Sequence, residues 1–115
     1  MPRIKKTPFA QWETTKVDGF EKRFIRMGDT QMLHPAVLSL NHTAYRVYTY
    51  MKLESGGKPV FEFPRLKWKS FVSPGGFQKA KKELCKAGLI EVAQSNANLR
   101  KANVYRFSAV WKAAK

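Results

Sequence analysis

The stretch that most constrains the fold runs from Ser73 to Gly88, "SPGGFQKAKKELCKAG". Ser73 is a residue type that caps helix N-termini, and Pro74 suits the first helical position. Phe77, Ala80, Leu84 and Ala87 then recur at the spacing of a single helix face. At about 100° per residue, Gln78, Lys79, Lys82 and Lys86 gather on the opposite face. Val72 and Phe77 occupy the two positions whose side chains staple a helix entry, and Gly88 offers the left-handed stop. An amphipathic helix over 73–87 is therefore predicted, with an apolar side that needs a core and a basic side that does not. Against this pattern stand Gly75 and Gly76 in the first turn, where each costs about 1 kcal/mol relative to Ala.

The flanking residues supply the rest of a small α+β domain. Pro35 opens a short helix at about 35–39, and Asn41 caps a longer one in which Ala44, Val47, Tyr48 and Met51 share a face. Gly56 and Gly57 end it. "PVFEF" (59–63) is a short β-prone run, and "RLKWKSFV" (65–72) leans towards a short helix. "LIEVAQ" (89–94) and "ANVYRFS" (102–108) read as strands of a hairpin whose turn, 95–101, is polar and basic. "FEKRFIRM" (20–27) reads as a short strand. Residues 1–19 read as a basic, flexible arm, leaving 20–115 as one folded domain. A chain of 115 residues has room for one modest core.

Charge bears on partners rather than fold. Lys and Arg number 22 against 8 Asp and Glu, a formal net charge of +14. The excess is uneven: residues 27–64 are neutral, whereas 65–88 carry +6. A concentrated basic field points to nucleic acid or an anionic membrane. The chain lacks any run of about 20 apolar residues and any apolar stretch behind its basic start, which together read as a cytoplasmic protein. The single Cys85 excludes an internal disulfide framework and suits a reducing compartment.

The order of helix, strand, short helix, basic helix and hairpin resembles the winged helix-turn-helix family, found in bacterial repressors and in replication organisers of phages and plasmids. "VSPGGFQKAKKELCKAGLIEV" and "NVYRFS" carry the resemblance, which covers roughly residues 33–110. It implies an α+β fold with a three-helix core and a small antiparallel β-hairpin wing. It further implies a DNA-binding protein acting in transcription control or replication initiation, with helix 73–87 in the major groove and the wing, 89–108, on adjacent groove or phosphates. Carried over by position, the groove-facing residues are Ser73, Gly75, Gln78, Lys79 and Lys82, and Gly76 and Lys86 join them as DNA-binding residues. The wing residues are Asn96, Asn98, Arg100 and Lys101. Gln78 suits a bidentate contact to adenine, while the lysines would neutralise phosphate. Such regulators are often homodimers, although no long helix outside the core advertises that interface. The family's helices more often carry polar residues where Gly75 and Gly76 stand.

Plainer readings compete at each position. Trp68, Phe71, Tyr105 and Phe107 sit among apolar residues and read as core rather than as stacking platforms. His34 and His42 lack companions at metal-ligand spacing, and His34 before Pro35 reads as a cap. Cys85 borders the apolar stripe and reads as a half-buried structural thiol. "GGKPV" (56–60) lacks the second half of a phosphate loop. With few, scattered carboxylates there is no acid–base pair, so neither an enzyme, a cofactor nor a metal is expected. Two other functions remain open: an RNA or single-strand binder, and a protein-interaction module in which the charge is incidental. The glycines carry either of two meanings. They form the turn itself, or they let the helix N-terminus approach a phosphate or groove floor closely. Under the second meaning, and provided its φ is negative, Gly76→Ala should stabilise the fold slightly and weaken DNA binding.

Overall fold

The computed structural model describes residues 8–95 and 103–113. Five α-helices and three strands follow in the order α1 (Asp29–Met32), α2 (Pro35–Leu38), α3 (His42–Ser55), β1 (Val60–Glu62), α4 (Arg65–Trp68), α5 (Pro74–Lys86), β2 (Ile90–Gln94) and β3 (Val104–Phe107). Only α3 and α5 exceed one turn or so. They pack on each other and on one face of the sheet, and the remaining helices are four residues each.

Each long helix is bounded as its sequence suggests. Asn41 Oδ1 accepts the Ala44 amide at 2.8 Å to start α3, and Gly56 ends it in the left-handed region at φ 62°. His34 caps α2 through Nδ1, which accepts the Ala36 amide at 3.1 Å. Ala44, Val47, Tyr48 and Met51 face inwards from α3, and Phe77, Ala80 and Leu84 meet them from α5. Met51, Leu84, Leu89, Ile90 and Val47 are the largest fully buried side chains, each contributing about 1.5–3 kcal/mol by leaving water.

The sheet is antiparallel in the order β1-β3-β2. The expected hairpin is thus joined by β1, whose Phe61 lies opposite Tyr105. Phe61 also stacks on Phe107 at 4.6 Å, and both Phe61 and Tyr105 are buried. Opposite β3 the pairing of β2 shifts register between Val92 and Gln94, an irregularity that bends and twists a strand. The chain returns after β3 in a 3-10 turn, Val110–Ala113, whose Trp111 meets His34 edge to face at 5.0 Å and packs against the core.

Two stretches differ from the sequence reading. Residues 20–27 join no strand, because Phe20, Phe24 and Ile25 stay exposed and no period-two buried face develops. Arg23 instead holds the segment to α3 through Glu54 at 3.0 Å. Within 8–19, the Phe9 amide donates to the Gly19 carbonyl at 2.7 Å and closes a loop around a 3-10 turn, Gln11–Glu13. The Thr14 hydroxyl donates to the Glu21 carboxylate, and Phe9 meets Phe24 edge to face at 5.4 Å. The single turn α1 also has no counterpart in the sequence reading.

Candidate nucleic-acid interface

The start of α5 is held from three sides. Ser73 Oγ accepts the Gly76 amide at 3.0 Å, and the Ser73 carbonyl accepts the Phe77 amide at 2.8 Å. Phe77 then lies flat against Trp68 of α4, with ring centroids 4.3 Å apart and planes 5° apart. This stack joins α4 to α5 across the turn 69–73, while Val72 packs against the core beside it. Trp68 is 7 % exposed and Tyr105 2 %, so neither offers a ring face to a nucleobase. Phe71 and Phe107 are half-buried.

With Phe77, Ala80 and Leu84 turned inwards, the helical repeat fixes the outer face. Gly75, Gln78, Lys79, Lys82 and Lys86 fall along it, and all five are exposed. Gly76 does not join them. It lies about 100° round the helix, half-buried on the flank that faces Val72. A Cβ there would stand 3.0 Å from Val72 Cγ2 and 3.1 Å from Ser73 Oγ, whereas a Cβ on Gly75 would meet nothing within 4 Å. Neither glycine has a positive φ. The two adjacent glycines therefore have different reasons: Gly76 makes room for the Val72 side chain and the Ser73 cap, and Gly75 leaves the outer face bare. The earlier expectation that Gly76→Ala stabilises is revised accordingly, because the added methyl group presses on both neighbours.

The one carboxylate of α5 is turned away from that face. Glu83 Oε2 accepts the Asn41 amide at 2.8 Å, tying α5 to the start of α3. Ion pairs among the described residues are Arg23–Glu54, Lys67–Glu54 and Arg106–Glu91, so none involves Lys79, Lys82 or Lys86. Three ammonium groups thus line an exposed helix face with no carboxylate within 4 Å among the described residues. Arg65 and Lys69 are exposed on the segment leading into α5. They belong to the +6 block of the sequence, which was the signal for them, although helix periodicity alone does not single them out.

Beyond α5, Gly88 turns the chain into β2 at φ 80°, and its carbonyl accepts the Trp111 amide at 3.1 Å. Val104 and Arg106 belong to the returning strand, where Arg106 Nε meets Glu91 at 3.3 Å. Asn96, Asn98, Arg100 and Lys101 at the expected wing tip lie outside the described residues, as do the basic residues of 1–7. Cys85 is half-buried, and burial raises its thiol pKa more than nearby Lys81 lowers it. Among the described residues no group of three or more His, Cys, Asp or Glu could hold a metal ion, and no helix is long and apolar enough to cross a membrane.

No family model matches the chain, and no curated protein or solved structure matches it.

Proposed function

We propose that the chain is a winged helix-turn-helix protein that binds double-stranded DNA, with α5 as its recognition helix and β2–β3 as its wing. The observation that carries this reading is the outer face of α5. Gln78, Lys79, Lys82 and Lys86 are exposed together there, and Glu83 is occupied elsewhere. Support for the architecture comes from element order and pairing: α3, β1, α4, turn, α5 and hairpin, with β1 on the edge of β3. A helix of this diameter fits the major groove, where Gln78 suits adenine and the lysines suit phosphate. Transcription control and replication initiation are the roles this reading favours, with a homodimer as the natural assembly for a palindromic site.

Selection from a random duplex pool at moderate salt tests it. An enriched palindrome indicates a dimeric reader and an enriched asymmetric site a monomer. Absence of salt-sensitive duplex binding would sink the reading and favour a protein-interaction module.

One observation favours a single-strand reading instead. Trp12 is 86 % exposed and Phe24 is exposed beside basic residues of 22–26. Exposed rings among cations are what unpaired bases stack on. Quenching of Trp12 emission by single strands and not by duplex, absent in Trp12→Phe, would favour that alternative.

A further inference from the structure

Segment 22–26 and the end of α3 line a half-open cavity of about 430 Å³. Lys22, Arg23, Arg26 and Lys52 line it, together with Phe24 and Phe107, and no acidic residue does. Of the four cations only Arg23 has a carboxylate partner among the described residues, Glu54 at 3.0 Å. Cations gathered round one cavity repel each other, and each has more to gain from an anion than it would alone in water.

Lys52 sharpens the point. It is half-buried, and its Nζ lies over the rings of Tyr48 at 5.4 Å and Phe107 at 5.7 Å. Burial lowers its pKa, and no carboxylate stands within 4 Å among the described residues. Its place in the last turn of α3 suits a cation on dipole grounds. That accounts for Lys52 alone and not for the cations brought to the same cavity by a separate segment. None of the lining residues belongs to α5 or β2, and Phe107 ends β3 at the end away from the hairpin turn.

We propose that this cavity is a phosphate site, in which Lys22, Arg26 and Lys52 hold the phosphate of a phosphate-bearing ligand. The site stands independently of the α5 face and of the DNA reading. A planar guanidinium on Arg26 and compact ammonium groups on Lys22 and Lys52 suit three phosphate oxygens better than a single carboxylate. The exposed ring of Phe24 leaves room for a base or sugar beside it.

Titrating the isotope-labelled full chain with inorganic phosphate, against chloride at matched ionic strength, tests the proposal. The amides of Gly56, Gly57 and Phe107 should shift saturably with phosphate and not with chloride. Adenosine monophosphate and a short DNA duplex form the two further arms. Beyond the phosphate response, tighter saturation by adenosine monophosphate than by duplex assigns the site to free ligands, and tighter saturation by duplex assigns it to a nucleic-acid backbone. In Lys52→Met, which keeps the stem over the rings, affinity should fall about tenfold, the loss expected for one charge-assisted contact. The exposed pair Lys22→Ala/Arg26→Ala should lose at least as much without disturbing the core. Shifts that follow chloride equally, or affinity unchanged in both variants, overturn the proposal. Loss of duplex binding in Lys79→Ala with phosphate shifts intact bears only on the α5 reading.

Discussion

Replacing Gly75 by alanine separates two demands on the start of α5. The added Cβ would meet nothing within 4 Å, and φ is not in the left-handed region, so the fold has no steric objection. Alanine then restricts the unfolded chain and favours the helix by about 0.5–1 kcal/mol, less in a first turn than in an interior. In a domain of this size that raises the melting temperature by roughly 2–5 °C. The same methyl group projects from the face that carries Lys79, Lys82 and Lys86. If that face seats the Gly75 amide against a phosphate, the loss of one hydrogen bond lowers duplex affinity roughly five- to tenfold. No charge is removed, so the salt slope should stay the same. Urea unfolding gives the first number, and fluorescence anisotropy across a salt series gives the other two. A variant with no stability gain refutes the open helical geometry at Gly75. A stabilised variant with unchanged duplex affinity refutes the close approach. Gly76→Ala is the control: its methyl group would sit 3.0 Å from Val72 Cγ2, so the propensity gain should be offset by displaced packing.

The other expectations are simpler. Lys79→Ala or Lys82→Ala should each weaken duplex binding and reduce the salt slope by about one unit, read from the same anisotropy series. Gly88→Ala should destabilise by about 1–3 kcal/mol in urea, because φ is 80° and a Cβ would stand 2.8 Å from the Trp111 amide nitrogen. Glu83→Ala should cost about 0.5–1 kcal/mol by exchanging the Asn41 amide's carboxylate acceptor for water, and hydrogen exchange should quicken at the start of α3. The raised pKa values of Cys85, Tyr48 and Tyr105 place their stabilising contribution below the ordinary thiol and phenol values. Stability should fall as pH rises above those values, since the unfolded chain releases these protons first. Alkylation of Cys85 at neutral pH should accordingly be slower in the native chain than in urea.

Much of the architecture was legible because short-range rules decide it. Asn41, Ser73, Gly56 and Gly88 each mark an end by chemistry that acts within four residues, and α3 and α5 begin and stop beside them. The basic face of α5 followed from periodicity alone. What escaped was set by long-range pairing. Nothing local in "PVFEF" says that it lies against β3 rather than standing alone, since its partner is chosen by the register of Phe61 with Tyr105. Residues 20–27 have the composition of a strand, but composition cannot say whether a sheet edge will receive them. The two glycines looked alike because periodicity assigns a face but does not show what stands opposite it. Only the positions of Val72 and Ser73 distinguish the crowded glycine from the open one. The cavity beside Lys52 likewise depends on two segments that sequence order keeps apart.

The position of β3 in the middle of the sheet has a consequence for the order in which this chain can fold as it is made. The strand on each side of β3 is synthesised before it, and neither has another strand to pair with among the described residues. Until Phe107 has left the ribosome, Phe61 and Ile90 have no completed sheet to bury them, and the apolar face shared by α3 and α5 stays half-covered. Assembly of the sheet therefore waits until β3 has been made rather than proceeding helix by helix. A nascent chain stalled before β3 would present two unpaired edges and an open core, which makes it a natural client for chaperones.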